Sequence, residues 1–284
     1  MGVAFALTSS LLWGFADFLG GGATRRANAI AVVAISNVAG TIALMAVVLI
    51  TRKLNADGNF AFWAISGGVA GVFALSCFYA ALAQGTMGVV APIASLSVLI
   101  PVSVGIVSGE RPGVFAIVGI VLAVSGLLLS SAVDLGSSPS VRERSVRPLL
   151  LAVLSALGGG YWILALGRGG EANAIATLSV MKCTQVVVSM GIALGLRLLR
   201  GIRRRDLPLL TVIGMADAGA TATFALASQT GLLLSLVAVL ASLYPAVTVL
   251  MAHFLAGERM TRIQLGAGLL MMAGVLIVVA TRPQ

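Results

Sequence analysis

Ten long apolar runs separated by short polar breaks set the pattern of the chain: roughly residues 3–23, 29–51, 60–83, 86–107, 113–133, 148–167, 173–196, 208–229, 232–255 and 263–281. At a rise of about 1.5 Å per residue, helices of this length cross a hydrocarbon layer of about 30 Å. The runs are continuous, not alternating, which predicts helices and excludes a transmembrane β-barrel. Most breaks are a few residues long, so sequence neighbours must run antiparallel. The exception is DLGSSPSVRERSVR, residues 134–147, rich in serine and charge. It is read as a linker loop between a first five-helix half, residues 1–133, and a second, residues 148–284.

The halves resemble each other. SGERPGVFAIVGIVLAVSGLLLSSA (108–132) aligns with AGERMTRIQLGAGLLMMAGVLIVVA (256–280), with Gly109 matching Gly257 at an offset of 148. Ala94-Ser95-Leu96 recurs as Ala241-Ser242-Leu243 at an offset of 147, and Gln84 as Gln229 at 145. Repetition of this kind reports on the architecture as a whole. Each half holds an odd number of helices, so the second copy crosses in the opposite sense. The expected fold is an all-α integral membrane protein: ten transmembrane helices as two inverted five-helix repeats around a central cavity. Many secondary transporters are built this way, with substrate bound near the midplane.

These residues also carry a resemblance. The five-plus-five duplication, the small-Gly-Glu-Arg turn before the last helix of each half, and LLWG in the first helix resemble the EamA-type branch of the drug/metabolite transporter superfamily. The resemblance covers essentially the whole chain and implies export of small metabolites. Within the branch the chain is similar to the aromatic amino acid exporters of YddG type. It further implies both termini inside the cell, and a cavity lined by the third and fourth helices of each half.

Composition agrees with the pattern. Of 284 residues 59% are hydrophobic and only 10% charged, against roughly 25% charged in soluble domains. The net charge of +9 does not point to nucleic acid, because the basic residues fall in short clusters between apolar runs without interleaved aromatics. They are read as loop charges that orient helices and meet anionic headgroups of the lipid bilayer. Loops after odd-numbered helices carry twelve: Arg25, Arg26, Arg142, Arg144, Arg147, Arg197, Arg200, Arg203, Arg204, Arg205, Arg259 and Arg262. The other side carries five: Arg52, Lys53, Arg111, Arg168 and Arg282. This bias places both termini outside the cytoplasm, opposite to what the resemblance implies, and orientation stays open. Cys77 and Cys183, the two cysteines, lie within spans and imply neither disulfide nor zinc site. The first run has no basic segment before it and no A-x-A cleavage site, so it is read as a retained span. With one histidine and no H-E-x-x-H, G-x-S-x-G or G-x-x-x-x-G-K-[ST] motif, the sequence predicts no enzyme, no ATP site, no metal and no cofactor.

Three ionisable residues lie deep in the runs: Asp17, Lys182 and Asp217. Counted at the helical rise from the side that the first helix exits, they are read as sharing one layer. Each lies on a polar stripe at helical spacing: Ser9, Trp13, Asp17 and Gly21; Ser179, Lys182, Gln185 and Ser189; Asp217, Thr221, Phe224 and Ser228. Such stripes must face away from lipid. They serve either as ionic glue between helices or as a site for substrate or proton, and intramembrane charge favours the second. The scaffold is duplicated but these charges are not: the repeat maps Asp17 to Ala165, Lys182 to Ala34 and Asp217 to Val72.

Trp13, Tyr79, Trp162 and Tyr244, with Tyr161, offer aromatic faces for packing, an interfacial belt or stacking on a flat ligand. Pro92, Pro101 and Pro245 permit bends in the fourth and ninth helices. The two Gly-Glu-Arg turns are read as structural, and His253 as interfacial. The expectation is a multi-pass secondary transporter of the bacterial inner (plasma) membrane. It exports small metabolites, amino acids foremost and aromatic ones among them, by alternating access, and is expected to be a monomer. Its substrate-binding residues are Trp13, Asp17, Tyr79, Trp162, Lys182, Asp217 and Tyr244. Lys182 meets a substrate carboxylate and an aspartate its ammonium. The alternatives are proton-coupled efflux of cationic drugs, and a channel or non-transporting scaffold.

Overall fold

The computed structural model describes residues 1–51, 60–107, 113–135, 139–228, 230, 240–241, 243–258 and 261–280. Among them the chain is helical, without strands. The helices are α1 (Gly2–Thr24), α2 (Ala29–Thr51), α3 (Ala61–Gln84), α4 (Met87–Ser95), α5 (Leu99–Val107), α6 (Val114–Leu135), α7 (Pro139–Gly195), α8 (Leu207–Ser228), α9 (Tyr244–Ala256) and α10 (Arg262–Ala280). Six stretches among the described residues are long and apolar enough to span a bilayer: Gly2–Thr24, Ala29–Ala46, Ala61–Gln84, Val146–Gly170, Ala172–Gly195 and Arg204–Ala227.

Two boundaries differ from the sequence reading. The fourth run is not one helix, because a 3₁₀ turn at Leu96–Val98 separates α4 from α5. Pro101 lacks the N–H that would bond Ser97, and its ring crowds that carbonyl, so the backbone tightens there. The segment expected as a linker is in part helical, since α7 begins at Pro139, a residue suited to a first helical position. Within α7, Asn173 takes extended angles (φ −162°, ψ 102°) and splits it into two arms. Its Oδ1 accepts from the Ala176 N–H at 2.9 Å, capping the second arm where the sixth and seventh runs were separated. The start of the ninth run, residues 231–239, lies outside the described residues.

Among the described residues many large apolar side chains face outward, and a set of polar ones is buried within the apolar core. Leu11, Phe62, Phe115 and Phe254 are exposed, whereas Ser9, Asp17, Thr177, Lys182, Gln185 and Ser189 are buried. That inversion suits a hydrocarbon surround, where polar groups must find partners within the bundle. The arms of α7 form an antiparallel hairpin on α3. A Cβ on Gly67 would touch Ala165 and Met181, and one on Gly71 would touch Trp162 and Gln185. α2 and α8 approach backbone to backbone, since a Cβ on Gly40 would stand 2.7 Å from the Gly214 carbonyl. Small residues are what permit this in membranes.

α6 and α10 pack antiparallel through a reciprocal contact. Gly119 meets the carbonyl of Gly274, and Gly126 meets that of Ala267. Under the offset of 148 between the Gly-Glu-Arg copies, Gly119 corresponds to Ala267 and Gly126 to Gly274. Each contact is therefore the image of the other, as in an isologous interface.

Candidate functional site

The site forms where α1, the second arm of α7, α8 and the start of α9 meet. α1 and α8 run antiparallel: the Ser9 hydroxyl donates to the Ala220 carbonyl at 2.8 Å, and one turn along, Trp13 Nε1 donates to Asp217 Oδ1 at 3.3 Å. α1 and α9 run parallel: Gly14 packs on Tyr244 and Val247, Thr248 Oγ1 donates to the Gly14 carbonyl at 3.3 Å, and Arg25 reaches Glu258 at 3.8 Å. This places Trp13 and Asp17, one turn apart on α1, between α8 and α9.

Lys182 Nζ donates to Asp217 Oδ2 at 2.6 Å, a charge-assisted bond. Its side chain is 9% exposed, that of Asp217 31%. Both oxygens of Asp217 are thus engaged, one by Trp13 and one by Lys182. On the far side of Lys182, Thr41 Oγ1 donates to the Lys182 carbonyl at 3.5 Å. Asp17 is different. It is 8% exposed, and among the described residues no hydrogen bond or ion pair reaches its carboxylate. It lies near enough to Asp217, Tyr79 and Tyr244 to act on them through space. Of these two neighbouring carboxylates, only that of Asp217 is ion-paired among the described residues.

Aromatic rings wall this carboxylate. Tyr79 of α3 lies flush against Gly20, where any Cβ would collide with its ring. Trp13 meets Tyr244 edge-on at 6.3 Å and tilts against Phe224 at 5.9 Å. The structure thus gathers Trp13, Asp17, Tyr79, Lys182, Asp217 and Tyr244. Trp162 lies elsewhere, in a second cluster with Trp63, Tyr161, Ala165 and Met181 between α3 and α7. Its Nε1 is buried with no hydrogen-bond partner.

Sequence reasoning singled out no polar residue of α2. Asn37 and Thr41 are buried polar residues one turn apart, and Asn37 Nδ2 has no hydrogen-bond partner. That i, i+4 pair in an apolar run was the available signal. The second Gly-Glu-Arg turn proves structural. Gly257 takes φ 65°, a left-handed helix stop, and Glu258 Oε2 accepts from the Met87 N–H at 2.8 Å, capping α4. His253 is exposed, with Nδ1 3.0 Å from the Glu258 carbonyl. The first copy of the turn lies outside the described residues.

A helical bundle with an apolar exterior, six apolar spans among the described residues and buried charges inside defines the class: a multi-pass membrane protein. Residues 1–132 match the profile of the EamA-like transporter family, so the resemblance read from the sequence is found over that part of the chain. That family is one of transporters. A crystal structure of another protein is similar in fold: TM-score 0.65, 17% identity, covering 98% of this chain and 96% of that one. No curated protein matches the chain.

Proposed function

We propose that this chain is a secondary transporter that exports small amine-bearing metabolites, amino acids foremost, across a bacterial inner membrane. In this proposal it is built as two inverted five-helix repeats, and the reciprocal Gly119–Gly274 and Gly126–Ala267 contacts support that plan. The repeats rock against each other about a central site, giving access to each side in turn. The observation that carries the reading is the buried Asp17, without a hydrogen-bond or charged partner among the described residues, beside the Trp13–Asp217–Lys182 network. A desolvated carboxylate walled by Trp13, Tyr79 and Tyr244 is a receptor for an ammonium group, which gains from both the charge and the ring faces. Lys182 can exchange Asp217 for a substrate carboxylate, which would give a zwitterion a partner at each pole. Aromatic side chains suit the same wall, and Trp162 takes no part.

The test is counterflow of labelled amino acids into vesicles reconstituted with the full chain. Saturable counterflow is expected, with Asp17→Asn and Lys182→Ala each lowering it at least about tenfold, the loss of one charge-assisted contact. Unsaturable flux would indicate a channel, and no flux with any amino acid or amine would remove the proposal. A second reading is supported by the surplus carboxylate: Asp17 carries a proton, and the cargo is a cation exchanged for it. Uptake of a cationic amine driven by an imposed pH gradient, and lost in Asp17→Asn, would favour it over facilitated movement of a zwitterion.

A further inference from the structure

A second surface lies outside this site. α2, α3 and both arms of α7 enclose an apolar groove of about 380 Å³, lined by Asn28 and Ile30, by Val69, Phe73, Ser76 and Cys77, and by Leu151, Val188 and Ile192. Along α3 it extends from Val69 to Ala80, about 16 Å at the helical rise, which is close to half of a hydrocarbon core of about 30 Å. One end therefore lies near the membrane midplane and the other at the water boundary.

At the boundary end, arginines flank the lining residues in sequence on three of its walls. Arg26 precedes Asn28 by two residues. Arg147 stands one turn before Leu151 on the same face of α7, and Arg197 follows Ile192 where the second arm ends. All three are exposed, and among the described residues no ion pair or hydrogen bond engages their side chains. Inside the groove, the Ser76 hydroxyl is buried without a hydrogen-bond partner. An apolar slot one leaflet deep, a free hydroxyl near its mouth and three arginines at the rim match the parts of one molecule. We propose that this groove binds an anionic phospholipid of the arginine-rich leaflet. The acyl chain lies along α3, the ester carbonyl accepts from Ser76, and the phosphate and its headgroup meet Arg26, Arg147 and Arg197. Basic residues at a membrane boundary recognise anionic lipid in this way. The reading does not depend on what the central site carries.

The test is native mass spectrometry of the full chain, released from detergent with dioleoyl phosphatidylglycerol or dioleoyl phosphatidylcholine. Phosphatidylglycerol should be retained preferentially. Each boundary arginine contributes about a factor of five toward anionic lipid, so Arg26→Gln, Arg147→Gln and Arg197→Gln together should weaken retention roughly a hundredfold, and Arg147→Gln alone about fivefold. Ile192→Trp, at an exposed groove position, should block retention with every arginine in place. Glycerol 3-phosphate, which has the phosphate but no chain, should not compete. Circular dichroism and gel filtration verify that each variant is folded. Equal retention of the two lipids, retention of phosphatidylglycerol unchanged in the folded arginine or tryptophan variants, or displacement by glycerol 3-phosphate would each overturn the assignment.

Discussion

Asp217 is held by donors from two other helices, Trp13 on α1 and Lys182 on α7, so neither partner of the ion pair is dispensable alone. Lys182→Ala leaves the Asp217 carboxylate beside Asp17 with no countercharge. Breaking a buried pair from one side costs about 3–5 kcal/mol, and the partial exposure of Asp217 puts this case at the lower end. Lys182→Ala combined with Asp217→Asn removes both charges and should recover most of the loss. Thermal unfolding of the purified variants in detergent measures both values, and a double variant no more stable than the single would show that the pair is not the stabilising contact. The pairing itself could be anticipated from one layer of charges on facing stripes. Which aspartate takes the lysine could not, because Asp17 and Asp217 look alike in sequence. Their difference arises from the antiparallel register of α1 and α8, which carries Trp13 to Asp217.

At the scale of elements, α4 depends on a residue far away in sequence. Its first N–H, from Met87, would be unsatisfied at the helix terminus, and the Glu258 carboxylate supplies both acceptor and favourable charge. Gly21, Leu82 and Met87 pack directly beneath this cap, between the central site and the arginine-rich end. Glu258→Ala is expected to cost about 1 kcal/mol, as loss of a helix cap does, and to loosen this plug. Faster labelling of a cysteine introduced as Leu82→Cys, reversed in part by Glu258→Gln, would show it, whereas an unchanged rate would assign Glu258 to stability alone. The helices themselves were largely readable from run length. The division of the fourth run at Leu96–Val98 was less so, because proline permits a break without dictating where the backbone tightens. Trp162 lies in a different cluster from the other candidate residues for a related reason. Its helix was correctly read, but which face of α7 turns to α3 is set by the small residues Gly67 and Gly71.

For the whole molecule, the reciprocal contact of α6 with α10 makes a specific claim about coupling. Gly119→Leu and Gly274→Leu each force a side chain against a backbone carbonyl, at a cost of about 1–3 kcal/mol from overpacking. The two residues share one contact, so the double variant should be less destabilised than the sum of the singles. Strict additivity in thermal unfolding would place them apart. The amino-acid sequence by itself determined the class of the protein and the length of its apolar runs. These are properties of composition and of spacing along the chain, which a hydrocarbon solvent reads directly. It also determined that Asp17, Lys182 and Asp217 share a layer, because helical rise converts sequence position into depth. Only the tertiary structure decided that Lys182 pairs with Asp217, that Asp17 is left to the aromatic wall of Trp13, Tyr79 and Tyr244, and that α2, α3 and α7 leave an apolar groove. Those outcomes depend on how each helix is rotated about its axis and on where glycine lets backbones approach, and neither is written in the hydrophobic pattern.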